Sequence, residues 1–109
     1  MGFFSDIGNY MNKRAEIAKS EYEKASRYDL YGVCRMLKGK SMMSSGVTGS
    51  MQALREKAEE AEDRELQTIF IQAKKENIMI ACSILAQELE RRGYLEKDNN
   101  GQYQKTDEW

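Results

Sequence analysis

The sequence predicts an all-α fold: an antiparallel bundle of three or four helices with a small C-terminal β-hairpin. Three observations carry this. The 109 residues contain no proline, where ordinary usage would give about five, so nothing forces a long helix to stop. Apolar residues recur every three or four positions over most of the chain, the helical period. After the last such stretch comes Asn100-Gly101, a strong hairpin-turn dipeptide. At this length the chain holds a single domain with one modest core.

The first helix is predicted over residues 5–38. Phe4, Ile7, Met11, Ala15, Ala18, Tyr22 and Ala25 make one narrow face, rich in alanine, which lets a neighbouring helix approach closely. Unbroken, this helix would be about 50 Å long, so a bend or break near Ser26–Asp29 is expected. Residues 39–49 hold three glycines and several serines and read as a linker. Met42 and Met43 stand out in it as adaptable apolar contacts.

A shorter helix follows over residues 50–61, with Ser50 as its cap and Met51, Leu54, Ala58 and Ala61 on its apolar face. The carboxylates Glu59, Glu60, Glu62, Asp63 and Glu65 alternate with Arg55, Lys57 and Arg64, which reads as a solvated, salt-bridged face rather than a cation site. A tight turn is expected at residues 61–63. Asp63 can cap the next helix and Glu65 suits its first turn.

The chain is organised around the stretch Leu66–Leu95, read as a helix over residues 64–92 with a weaker break available at Glu76-Asn77. On one helical axis Ile69, Phe70 and Ile71 point in three directions, and Ile78, Met79, Ile80, Ala81 and Cys82 cover most of the circle. A helix apolar nearly all round must be covered nearly all round. Either the other helices wrap it, or a second copy or a different protein covers the remaining face. On the second reading Ile69, Phe70, Ile71, Ile78, Met79, Cys82 and Leu85 form the self-association surface, and Tyr28, Tyr31, Met42 and Met43 face a partner.

Arg91-Arg92-Gly93 ends the helix: the arginines suit its negative pole and Gly93 its C′ position. A hairpin over residues 94–105 follows, and a two-residue turn at Asn100-Gly101 sets Glu96 opposite Lys105. Residues 106–109 are expected to fray, with Trp109 either a loose end or a docking anchor.

The composition excludes more than it assigns. There is no histidine, so the commonest general base and zinc ligand is missing. Cys34 and Cys82 sit in apolar runs, unlike activated nucleophiles. No metal or other cofactor is expected, and no enzyme activity. No run approaches a membrane span. No secretory leader is apparent, so a cytoplasmic location is the expectation. Phe3, Phe4, Ile7 and Tyr10 could lie in a membrane interface or pack on a core. The net charge is −1, split as +3 over residues 1–50 (eight basic, five acidic) and −4 over residues 51–109 (nine basic, thirteen acidic), so no global field attracts nucleic acid.

Residues 84–105, a helix ending in Leu-Glu-Arg-Arg-Gly-Tyr-Leu followed by a glycine-turned hairpin, resemble the recognition helix and wing of winged-helix regulators. The resemblance implies DNA binding through this segment. Against it stand the acidic balance of the C-terminal half and the lack of a short helix-turn-helix break before it. The leading expectation is a non-enzymatic protein–protein interaction module, such as an adaptor, inhibitor or immunity-type accessory protein. It would dock by a helix face, self-associate, and have another protein as its partner.

Overall fold

The computed structural model describes residues 3–44 and 46–109, with side chains from residue 13 onward. The expectations for Phe3, Phe4, Ile7 and Tyr10 fall outside the described side chains. The fold is mostly helical. Five helices are seen among the described residues: α1 (Phe3–Ala25), α2 (Leu30–Met36), α3 (Val47–Glu60), α4 (Asp63–Lys75) and α5 (Met79–Arg91). The strands β1 (Leu95–Lys97) and β2 (Tyr103–Lys105) pair antiparallel at the C-terminal end. None of the described helices is long and apolar enough to cross a membrane.

The helix expected over residues 5–38 is two helices. Ser26 turns its hydroxyl back onto the Tyr22 carbonyl at 2.7 Å, and Asp29 adopts an extended conformation and accepts the Gly32 N–H at 2.7 Å, capping α2. A side chain that satisfies a free N–H offers the backbone an alternative to continuing the helix. The break lies in the Ser26–Asp29 segment where one was expected.

The helix expected over residues 64–92 also divides, at the weaker break expected at Glu76-Asn77. Asn77 sits in the left-handed region at φ 57°. Its N–H reaches the Lys74 carbonyl at 3.2 Å, and the Ile78 N–H reaches that of Ala73 at 3.0 Å. This paired closure satisfies the last carbonyls of α4. The same closure recurs at the end of α5, where Gly93 at φ 89° donates to Glu90 at 3.0 Å and Tyr94 donates to Leu89 at 2.9 Å.

The division resolves the all-round apolar pattern. On two axes, residues that would diverge on one helix face a shared core. Leu66, Phe70 and Ala73 are buried from α4; Ile80, Ala81, Ile84, Leu85, Ala86 and Leu89 are buried from α5. Ile78, in the connection, is wholly buried, which alone removes enough apolar surface for about 1.5–3 kcal/mol.

Helix α4 packs on α5 and α2, and α3 packs against α1, α2 and α5, most extensively against α1. It starts at Val47 after Gly46, so Ser50 is not its cap but a buried residue in its second turn. The linker is correspondingly shorter than residues 39–49. Gly49 is where α1 and α3 touch: a Cβ there would collide with the Ala18 carbonyl oxygen and lie 2.7 Å from the Tyr22 nitrogen. The small-residue face of α1 permits this close approach. Towards the N-terminus from Ala18, residues 13–17 are exposed, so α1 runs out past the core and the molecule measures 61 Å along its longest axis.

The turn at residues 61–63 is present, but Glu62 occupies the cap position of α4 without a side-chain bond. Asp63, expected as the cap, lies in the first turn with its carboxylate turned to Arg92 and Tyr94. The hairpin is shifted by one residue from the expected register: Glu96 faces Gln104, not Lys105. The cause is Asp98, whose carboxylate accepts the Asn100 and Gln102 N–H groups at 2.8 and 2.9 Å. It thereby builds a three-residue loop with Gly101 left-handed at φ 78°. The tail is anchored rather than frayed. Thr106 donates to the Gly93 carbonyl at 2.6 Å, its N–H reaches the Tyr94 carbonyl at 3.1 Å, and Trp109 packs against the core.

Candidate docking groove

Where α4, α5 and the hairpin converge they leave an open groove of about 470 Å³. Its floor is Phe70 of α4. One wall is the stripe Met79, Cys82, Ser83 and Ala86, which the three-to-four spacing puts along one side of α5. The other wall is the hairpin, through Gly101, Gln102 and Tyr103, and Lys74 and Asn77 close one end.

The walls are held by polar ties outside the groove. Tyr103 donates to Glu90 at 3.2 Å, which sets the hairpin against α5. Trp109 stacks obliquely on Phe70, with ring centres 6.2 Å apart and planes at 58°, so the chain end supports the floor. Behind the hairpin, Glu88 is buried beneath two arginines, with Nε of Arg92 at 2.8 Å and Nε of Arg91 at 2.9 Å. Arg92 also donates to Asp63 at 2.8 Å and to the carbonyls of Ala58 and Glu59 at 2.9 and 3.1 Å. One guanidinium thus joins the end of α3, the start of α4 and the end of α5, using separate donors of its planar fork in a way that lysine cannot replace. Tyr94 adds a 2.7 Å bond to Asp63.

These bonds shift the carboxylates. The Tyr94 hydroxyl and then Arg92 hold Asp63 below the ordinary carboxylate value. The Arg91 bond holds Glu88 down against its burial, with Arg92 adding to it. A second cluster fixes the far end of α4. Tyr31 donates to Glu76, Gln72 donates to it at 3.0 Å, and Lys38 lies 3.5 Å away. The Tyr31 bond is the main reason that the Glu76 carboxyl is held below its usual range.

The structure sorts the residues that the sequence singled out. Of the expected self-association surface, Phe70, Ile78 and Leu85 are buried within the single chain, and Ile69 is half-buried against the core. Ile71 and Met79 are exposed and Cys82 is half-buried. Met79 is 75% exposed although Ile78, beside it, is 0% exposed.

Of the expected partner surface, Tyr31 is committed to Glu76. Tyr28 is exposed beside a separate hollow with Ser20, Glu23, Lys24 and Arg27. Met42 and Met43 are exposed in the turn between α2 and α3, Met43 at 93%, and neither lines that hollow. The sequence reading missed Lys74, Asn77, Ala86 and Tyr103 as groove residues. Their signal was the αL-tolerant Asn77, which turns the axis of α5 away from that of α4.

The groove offers thioether, thiol, methyl and ring surface, with amides, two hydroxyls and the Lys74 ammonium at its edges. Burial raises the thiol pKa of Cys82 and pushes that of Cys34 up to about 12, so both are protonated near neutrality and neither is an activated nucleophile. Among the described residues no three His, Cys, Asp or Glu side chains converge to hold a metal ion. No protein-family model, curated protein or solved structure matches the chain.

Proposed function

We propose that the chain is a small non-enzymatic interaction module that takes the apolar face of another protein's helix into the groove between α4, α5 and the hairpin. The observation that carries this reading is Met79, left open at the mouth of a preformed apolar groove while its neighbour Ile78 closes the core. Methionine is flexible and polarisable, and suits a surface that must fit a partner's side chains. The dimensions suit two or three anchor side chains spaced along one helix face, the usual helix-in-groove mode. An adaptor, inhibitor or immunity-type accessory protein works in this way, by occupying a surface.

Self-association now rests on Ile71 and Met79, the exposed members of the expected interface. The winged-helix alternative over residues 84–105 has less support. Ile84, Leu85, Ala86, Glu88 and Leu89 are buried, so little of α5 is left to enter a DNA groove.

Selection of a helical peptide library on the immobilised protein tests the reading. The expected winners carry apolar residues at helical spacing and lose binding to Met79→Asp. Winners without that spacing, or ones that bind Met79→Asp equally well, contradict it.

A further inference from the structure

The groove is bordered by lysines, and each covers an aromatic ring. Nζ of Lys74 lies 5.7 Å from the centre of Phe70, that of Lys97 5.2 Å from Tyr103, and that of Lys105 4.8 Å from Trp109. Phe70 and Tyr103 line the groove, and Trp109 stacks on Phe70, so all three cations stand at or one ring away from its walls. None of the three has a carboxylate within ion-pair distance among the described residues. No carboxylate lines the groove either; the Asp98 and Glu90 carboxylates stand at its hairpin wall, where they accept the Gln102 N–H and the Tyr103 hydroxyl. In a chain with net charge −1, this is a local concentration of unpaired positive charge around an apolar slot.

We infer that the partner is acidic: an amphipathic helix whose apolar stripe enters the groove and whose flanking Asp and Glu residues meet Lys74, Lys97 and Lys105. This rests on the docking role proposed above and specifies the partner's chemistry. All three lysines are exposed, so a carboxylate can reach each one without displacing a pre-existing ion pair. Charges at a rim of this kind steer encounter and reject like-charged competitors more than they add affinity. They therefore select acidic helices from among many apolar ones. A second copy of this chain is a poorer occupant, because a two-fold pairing of the same surface sets one lysine rim against the other. Nucleic acid fits the charge, but the rings that would stack bases are already covered by the lysines or by each other.

The test uses three fluorescein-labelled synthetic helices with an identical leucine stripe and glutamate, glutamine or lysine on the other faces, titrated by anisotropy against the full chain. The glutamate helix is expected to bind about tenfold more tightly than the lysine helix, and the gap is expected to narrow as salt shortens the screening length. Replacing Lys74, Lys97 and Lys105 together by glutamine should abolish the preference. Replacing them by methionine, which keeps an apolar stem on each ring, provides a second variant should the glutamine protein not fold.

If all three helices bind equally well and lose binding to Met79→Asp, the acidic-partner inference fails and the docking role stands. If none binds, both fail. A single-stranded oligonucleotide that displaces the glutamate helix, or a dimer that Met79→Asp dissociates, assigns the rim to another occupant and overturns the inference.

Discussion

Arg92 reaches across 29 residues of sequence to place Nη1 2.8 Å from the Asp63 carboxylate, while its Nε holds the buried Glu88 at 2.8 Å. The pair joins the start of α4 to the end of α5 and, through Tyr94, to the first strand of the hairpin. None of Arg92, Asp63 and Glu88 lines the groove between α4, α5 and the hairpin, yet their bonds fix helix ends that frame it.

Arg92→Met keeps much of the side-chain volume and removes the charge. Glu88 is then left with Arg91 alone, and two carbonyls at the end of α3 lose a donor. The Arg92 and Glu88 side chains are 13% and 9% exposed. A loss of about 1–3 kcal/mol is expected, below the usual cost of breaking a buried pair because Arg91 and solvent compensate in part. Urea denaturation measures it; an unchanged midpoint would show that the joint is dispensable.

Acid should loosen both this joint and the Glu76 cluster at the far end of α4. Asp63, Glu76 and Glu88 all titrate below their ordinary values, 3.8 for Asp63 and 4.5 for the glutamates, chiefly because of bonds from Tyr94, Tyr31 and Arg91 respectively. A carboxylate with a depressed folded pKa adds stability above its unfolded pKa and loses it as the pH falls through the folded one. Stability is therefore expected to hold from neutrality to about pH 5 and to fall below about pH 4.5. Glu88→Gln should flatten part of that fall. Denaturation midpoints at stepped pH give the slope directly, and a slope unchanged in Glu88→Gln removes Glu88 from the account.

Asn77 carries the positive φ that ends α4. Asn77→Ala places a Cβ-bearing residue with no turn-forming side chain there and should cost about 1 kcal/mol, whereas Asn77→Gly should be neutral within a few tenths. Thermal unfolding of the two variants compares them. Equal melting temperatures would mean that the break is not maintained by this residue.

Much of the fold was legible because it lies in spacing. The helical period, the break near Ser26–Asp29, the turn at residues 61–63, the Gly93 stop and the presence of the hairpin all follow from local rules. The division at Asn77 was harder to see. Asparagine is an ordinary helix residue except in the left-handed position, and only the burial of Ile78 on a new axis makes that position necessary. The hairpin register was misjudged because Asn100-Gly101 is a strong signal, and Asp98 outweighs it with two backbone bonds. The groove was half legible. Met79 and Cys82 stood out as apolar surplus, but the fate of Phe70, Ile78 and Leu85 depends on tertiary contacts that periodicity does not contain.

Gly49→Ala sets helix propensity against packing. Alanine favours a helix over glycine by about 1 kcal/mol, yet a Cβ at this position meets the α1 backbone. Backbone cannot yield as a flexible side chain does, so the clash should win, with a net loss of about 1–3 kcal/mol. Hydrogen exchange should quicken in the α1 segment around Ala18 and Tyr22 before it quickens in α5. A more stable variant with α1 protection intact would contradict the contact.

The most direct test of the central claim compares urea denaturation midpoints for Ile78→Asp and Met79→Asp. The chain should close its own core at Ile78 and leave Met79 open in the groove. A buried, unpaired aspartate at 78 should then cost about 3 kcal/mol or more, and one at 79 should stay within about 0.5 kcal/mol of the parent. Similar losses in both variants would place Met79 in the core and remove the groove.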